Sequence, residues 1–359
     1  KFDCTARGGA LAWRLSMPSF RPLPALVLLW FTCFAGSLAA KEARPAYLGA
    51  IVIDAADGRV LFDDRADTVS PPASMTKLMT FAVVHDKLAS GALTPEAPVT
   101  VTAEDSRIGG TQVWLKQGEV FPVDDLLYAM MIQSGNDTAH ALARTAGGSP
   151  AAFVELMNAK ARELGLAHTT FRTPHGLPPA NRRTADGDLT TPRDFATLSR
   201  WLLQHTDVTK YSGVRQRKFG EGRRAADRVI AMTNHNHLLG KVAGVDGLKT
   251  GFTNGAGYCL AATAERGGRR VIVVVMGSPD SKTRDLKVME LLERGFASAP
   301  AVLPAAPRPA LPAPSAVAQP GGMPTVKTDK SPPPASAGET STAAEPALTF
   351  RVIPPTKKP

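Results

Sequence analysis

Cysteine is nearly missing from this chain of 359 residues, which has only Cys4, Cys33 and Cys259. The first two fall in a stretch that reads as a leader, so the remainder keeps one thiol and no disulfide partner for it. Cys259 stands between Tyr258 and Leu260 in a strand-like run and reads as a buried, inert thiol. Acidic residues are also short: 32 Asp and Glu against 42 Lys and Arg leave a formal charge of +10. That excess suits an anionic partner, whether nucleic acid, phospholipid or an acidic wall polymer, and does not choose among them. No internal repeat occurs, so stacked-repeat architectures are out. Metal-ligand spacing is absent as well. His235 and His237 in "TNHNHLLG" lie two apart, but no further ligands accompany them, so no metal and no cofactor is expected.

The two ends are compositionally unlike the middle. Arg21 precedes "LPALVLLWFTCFAGSLAA", a short apolar run closing on small residues before Lys41. A charged start, an apolar middle and a small-residue end read as a cleaved secretory signal over residues 1–40, with Met17 a plausible true start. The run is short for a retained span and is interrupted by Pro24 and Gly36. Residues 299–359 are dominated by Pro, Ala, Ser and Gly, with almost no aromatics and no periodicity. Such a stretch cannot bury enough apolar area to order itself and reads as a disordered tail. It has no amphipathic helix suited to a membrane surface, so no anchor is expected once the leader is gone.

Between them, residues 41–298 read as one α+β domain. "YLGAIVIDAADGRVLFDD" is a β-hairpin around Asp57-Gly58, and a helix runs from Ser74 to about Leu88. "VDDLLYAMMIQSG", "NDTAHALARTAG", "SPAAFVELMNAKARELG" and "TPRDFATLSRWLLQH" place apolar residues at helical intervals, several behind Ser, Thr or Asp caps. Strands return in "GYCLAATAE" and "RRVIVVVMGS", and an amphipathic helix from about Lys282 to Phe296 closes the domain. An antiparallel sheet flanked by terminal helices, with a helical insertion, is the simplest assembly.

Chemistry is concentrated in three short motifs. In "PPASMTKLMT" a serine and a lysine stand three residues apart at the start of an otherwise apolar helix. On a helix this spacing puts Ser74 and Lys77 on one face. The helix N-terminus and partial burial both favour a neutral, proton-accepting lysine. A serine attacks usefully only when a base takes its proton. Alone, Ser-x-x-Lys is common by chance. "MIQSGND" adds Ser134, Gly135 and Asn136 at a bend, and "VDGLKTGF" adds Lys249, Thr250 and Gly251 on a strand before Phe252. The order Ser74, Ser134, Lys249 is that of the motifs of penicillin-recognising serine enzymes.

With those motifs, and with "FVELMNAKARELGL", "TTFRTPHGL" and "VDGLKTGFTNGAGYCLAA", the chain resembles the D-alanyl-D-alanine carboxypeptidases, the low-molecular-mass penicillin-binding proteins, from about Tyr47 to Phe296. The resemblance implies a β-lactamase/transpeptidase-like fold with a five-stranded antiparallel sheet and an all-helical insertion. It also implies removal of the terminal D-alanine from peptidoglycan stem peptides through an acyl-enzyme, with β-lactams as covalent inhibitors and an exported location in the periplasm or cell envelope. By the same resemblance Ser74 is the nucleophile and Lys77 its base. Ser134 relays a proton to the leaving amine, and Asn136 holds the substrate amide and Lys77. Lys249, Thr250 and Arg284 receive the terminal carboxylate, and Gly251 lets the backbone come close. The N–H groups of Ser74 and Phe252 form the oxyanion hole.

The middle motif is Ser-Gly-Asn, and no glutamate that would position a deacylating water, as in class A β-lactamases, follows it. Slow release of antibiotic acyl groups follows. Three alternatives stay open: a DD-endopeptidase cutting cross-links, a class A β-lactamase, and a non-catalytic penicillin-binding wall protein. The remaining singular residues read as structural. His175 is a loop-packing residue, the "TNHNHLLG" segment a turn, and the basic run Val214 to Arg228 a solvated hairpin without the aromatic platform that nucleic acid would need.

Overall fold

The computed structural model describes residues 45–298; the expected leader and tail lie outside the described residues. The main sheet has five antiparallel strands: β1 (Gly49–Asp54), β2 (Val60–Asp64), β7 (Val245–Thr253), β8 (Gly257–Arg266) and β9 (Arg269–Ser278), in the order β2-β1-β9-β8-β7. "VIVVVM" is apolar at every position because β9 is the central strand and is covered on both faces. Val271, Val273 and Val275 meet Val288, Leu291 and Leu292 of the terminal helix α7 (Ser281–Ser298). Ile272, Val274 and Met276 alternate to the opposite face and join the larger core under the helices.

That second layer comes from the chain between β2 and β7. It holds α1 (Lys77–Ala89), α2 (Val123–Ile132), α3 (Asn136–Gly147), α4 (Pro150–Glu163), α5 (Pro192–His205) and the short α6 (Val208–Ser212). Two ribbons accompany them, β3 (Pro98–Thr100) with β4 (Val120–Pro122), and β5 (Gln216–Phe219) with β6 (Ile230–Thr233). The expected helices and hairpins are all present. Ser149 and Thr191 cap α4 and α5, accepting from Ala152 N and Asp194 N at 3.1 Å each, with proline at the first helical position. Among the described residues no helix is long and apolar enough to cross a membrane.

Two readings change. Ser74 does not begin the α-helix; it sits in a 3-10 turn, Ala73–Thr76, and Lys77 is the first α-helical residue. In a 3-10 turn residues three apart eclipse, which brings the pair closer together than an α-turn does. The basic hairpin is only partly solvated. Arg224 is buried, bonding Glu119 at 2.6 and 3.0 Å and the carbonyls of Val113 and Trp114 at 2.8 and 3.1 Å. It locks the hairpin onto the 108–118 loop, a contact that the run of charges conceals.

The fold brings three junctions together: the 3-10 turn, the bend between α2 and α3, and edge strand β7. Close approach requires glycine at two places. A Cβ on Gly251 of β7 would run into the Pro72 carbonyl, and one on Gly176 would run into the Ala73 carbonyl. Both sides of the Ser74 turn are therefore gripped by backbone.

Candidate active site

Lys77 is fully buried, and its Nζ has three neighbours: Ser74 Oγ at 3.1 Å, Asn136 Oδ1 at 2.7 Å and the His175 carbonyl at 2.8 Å. Burial lowers its pKa well below the ordinary lysine range, and the charge of Lys249 lowers it further. A neutral amine has two hydrogens and one lone pair. Asn136 and His175 offer only acceptors, so they take the hydrogens and leave the lone pair facing the Ser74 hydroxyl. The arrangement can accept a proton from serine.

Supports hold those acceptors in place. Asn136 donates Nδ2–H to the Gly109 carbonyl at 2.9 Å and its backbone N–H to Thr111 at 2.8 Å. Asp137 accepts from the N–H groups of Val113 and Leu115, both at 3.1 Å, although burial raises its pKa. The loop carrying His175 is tied to α1 by Thr80 Oγ1 donating to Pro174 O at 2.6 Å. Thr76 Oγ1 adds a bond to Asp188 at 2.8 Å. His175 does pack its loop as expected. Burial pushes its imidazole down to about 3, so the ring is neutral, and the part facing Lys77 is the backbone carbonyl.

Ser134 lies in the bend with φ +64, a left-handed conformation that a serine rarely adopts. Its Oγ is buried without a hydrogen-bond partner among the described residues. Strain and an unpaired hydroxyl in one residue mark a position held for something other than stability.

A cleft of about 350 Å³ opens in front of these groups, lined by Ser74, Ser134, Thr250, Gly251, Phe252 and Arg284 among others. Phe252 is half exposed and stacks on Tyr258 with centroids 4.2 Å apart. Because β7 is an edge strand, alternate backbone groups of Thr250 to Phe252 point outward and unpaired on that side. Lys249 is set back from the wall, buried and donating to the Thr250 carbonyl at 3.1 Å. Burial, with Arg284 nearby, lowers its pKa to about 7. Arg284 sits in the first turn of α7, almost fully buried, its Nε and Nη2 on Asp285 at 2.9 and 2.7 Å.

The "TNHNHLLG" segment is more than a turn. His235 and His237 both line the cleft, and no third side chain completes a metal set among the described residues. Burial and the charge of Lys249 hold His235 near 4, a neutral ring against the cationic wall. His237 Nδ1 stands 3.4 Å from Asp285, which links it to Arg284. Their spacing was visible in the sequence, but nothing there said which surface they share. Cys259 is fully buried, and burial lifts its thiol to about 11.

A serine facing a buried lysine of lowered pKa, with a second serine and a cationic end wall, is the geometry that the three motifs imply. A family profile described as D-alanyl-D-alanine carboxypeptidase, peptidase S11, matches residues 39–280. The chain belongs to that family. D-alanyl-D-alanine carboxypeptidase DacC of Escherichia coli is 38% identical over 264 residues, covering 72% of this chain and 63% of that protein. DacF of Bacillus subtilis is 35% identical over 247 residues, 69% of this chain and 61% of that protein. Among solved structures, ampicillin-bound penicillin-binding protein D2 of Listeria monocytogenes superposes with a TM-score of 0.62 at 31% identity. The superposition covers 71% of this chain and 99% of that one. The fold is accordingly β-lactamase/transpeptidase-like. The chain spans a little over three fifths of the length of the two curated relatives.

Proposed function

We propose that this family member removes the terminal D-alanine from peptidoglycan stem peptides and is acylated by β-lactams at Ser74. The observation carrying this reading is Lys77 Nζ, buried, 3.1 Å from Ser74 Oγ and held by Asn136 Oδ1 and the His175 carbonyl at 2.7 and 2.8 Å. In the first step Ser74 Oγ bonds to the carbonyl carbon of the penultimate D-alanine as its proton passes to Lys77. The carbonyl oxygen becomes an anion beside the N–H groups of Ser74 and Phe252. Collapse breaks the C–N bond. Ser134 passes a proton to the departing amine, Lys77 replenishes it, and free D-alanine leaves. Water then attacks the ester, again losing its proton to Lys77, and Ser74 recovers its own.

Selection of a free chain end comes from the cationic wall. Thr250 and Arg284 line the cleft, with Lys249 behind, and the two cations with the threonine hydroxyl suit a terminal carboxylate. β-Lactams carry a carboxylate at a similar distance from a strained amide, and their leaving amine stays tethered, so hydrolysis of that adduct is slow. The reading places the protein in the periplasm or cell envelope, delivered by residues 1–40.

Mass spectrometry after benzylpenicillin treatment tests the nucleophile. One equivalent is expected on the Ser74 peptide, and none on a Ser74→Ala variant; an adduct elsewhere overturns the assignment. Incubation with a pentapeptide should release D-alanine. Release of monomers from cross-linked dimers instead establishes a DD-endopeptidase, and penicillin binding with no peptide cleaved establishes a non-catalytic binder.

A further inference from the structure

Besides the cleft, a second space of about 500 Å³ lies beside the Ser74 turn. Ala73, next to the nucleophile, lines it, and so do Pro71, Leu177, Pro179, Arg182 and the Thr253–Gly255 turn that follows β7. Resting on the peptidase reading above, we infer that this cavity seats the side chain of the stem-peptide residue preceding the two D-alanines, and that Arg182 selects a carboxylate on it.

The strand orders the subsites. An extended peptide laid along the open edge of β7 advances about 3.3 Å per residue. With the terminal carboxylate at Thr250 and the scissile carbonyl by Phe252, the preceding residue falls at Thr253 and Asn254. Those two residues line the second cavity. The prolines and Leu177 supply an apolar wall suited to a methylene stem.

Arg182 gives this wall its one uncommitted charge. Its backbone is held at φ +57, with its N–H donating to Pro179 O at 2.9 Å. Its guanidinium has no hydrogen bond or ion pair among the described residues, whereas neighbouring Arg183 reaches Asp186 at 3.5 Å. Asp188, the other charged side chain lining the cavity, is committed. It accepts from Thr76 Oγ1, from the N–H groups of Arg172 and Thr173, and from Thr173 Oγ1, at 2.6 to 3.0 Å. A left-handed arginine with no side-chain partner among the described residues, lining a partly apolar cavity, suits a stem that ends in a carboxylate. A third residue such as diaminopimelate carries that group. Lysine at the same place carries only an ammonium, which the guanidinium repels.

The test uses the full chain and three pentapeptides that differ only at the third residue: diaminopimelate, diaminopimelate with its side-chain carboxylate amidated, and lysine. Two readouts are taken, D-alanine release and protection of Ser74 from a fluorescent penicillin. Arg182→Ala should lower kcat/KM for the diacid peptide roughly fivefold, mainly through KM, because an exposed ion pair is worth about 1 kcal/mol. The other two peptides should be unaffected, Arg182→Lys should restore most of the loss, and Arg182→Glu should favour lysine. Equal handling of the three peptides by the unaltered protein, or an equal loss on all of them in Arg182→Ala, overturns the inference. If no peptide yields D-alanine, the peptidase reading fails on its own, and the protection assay still decides. Better protection by the diacid than by its amide supports the cavity assignment, and equal protection sinks it.

Discussion

Asn136 Oδ1 accepts a hydrogen bond from Lys77 Nζ at 2.7 Å while its amide nitrogen holds the Gly109 carbonyl at 2.9 Å. The side chain thus fixes Lys77, the proposed base, with one end and the 108–118 loop with the other. Asn136→Ala should reduce the rate of penicillin acylation on the order of a hundredfold, the scale of a displaced general base. Asn136→Asp has a sharper consequence. A carboxylate at that place favours the cationic lysine, raising the pKa that burial had lowered. The acid limb of the acylation profile should therefore move to higher pH. Stopped-flow acylation across pH 5 to about 10 checks it, a range set by the ordinary carboxylate and lysine values. An unchanged limb would show that Lys77 is not the group titrating.

Lys249 links activity and stability with opposite signs. Its folded pKa is lowered to about 7 by burial and by Arg284. From there to the ordinary lysine value the unfolded chain binds the proton that the folded chain has released, so stability rises with pH. Lys77, also lowered, acts in the same direction. If Lys249 reads the terminal carboxylate as proposed, recognition needs the cation, so peptide turnover should fall above pH 7 while the melting temperature climbs between pH 7 and about 8.5, below the range where cysteine and tyrosine ionise. Lys249→Met should flatten part of that climb, measured by calorimetry at several pH values.

Close approach at the Ser74 turn can be separated from backbone strain. Gly176 and Gly148 both have positive φ, +84 and +77. A Cβ at Gly148 meets nothing within 4 Å, whereas one at Gly176 strikes the Ala73 carbonyl. Gly148→Ala should cost about 1 kcal/mol, the conformational part alone. Gly176→Ala should cost about 2–4 kcal/mol, because backbone must move. It should also slow acylation, since the backbone that moves carries Ser74. Denaturant midpoints and penicillin labelling of the two variants measure the difference.

What could be read from the sequence follows the range of the interaction. Helix and strand identity came from local period and caps, as in "SPAAFVELMNAKARELG" with Ser149 at its cap. Ser74, Ser134 and Lys249 were legible because their side-chain chemistry is written in the residue types and their order. The parts that stayed hidden act through the backbone or across long separations. The His175 carbonyl would be the same with any side chain at that position, and so would the Gly109 carbonyl. Arg224 reads as one more charge in a basic run until it meets Val113, 111 residues away. His235 and His237 reach the cleft only because β6 delivers them beside β7, a tertiary fact.

In the proposed reading, chain-end selectivity rests on Arg284. It is almost fully buried, held by Asp285 on one side and open to the cleft on the other. Replacing it by alanine leaves Asp285 with His237 as its one ion-pair partner among the described residues and removes the cation proposed to meet a terminal carboxylate. Losing a charge-assisted bond of this kind costs about 1.5–3 kcal/mol, roughly a tenfold to hundredfold drop in kcat/KM. The drop should be confined to peptides with a free C-terminus. A C-terminally amidated peptide, already a poor substrate, should be cleaved by Arg284→Ala as well as by the unaltered chain, and Arg284→Lys should recover part of the discrimination. If both peptides slow together, Arg284 supports the fold of the cleft and the carboxylate is read elsewhere, with Thr250 and Lys249 the residues to vary next.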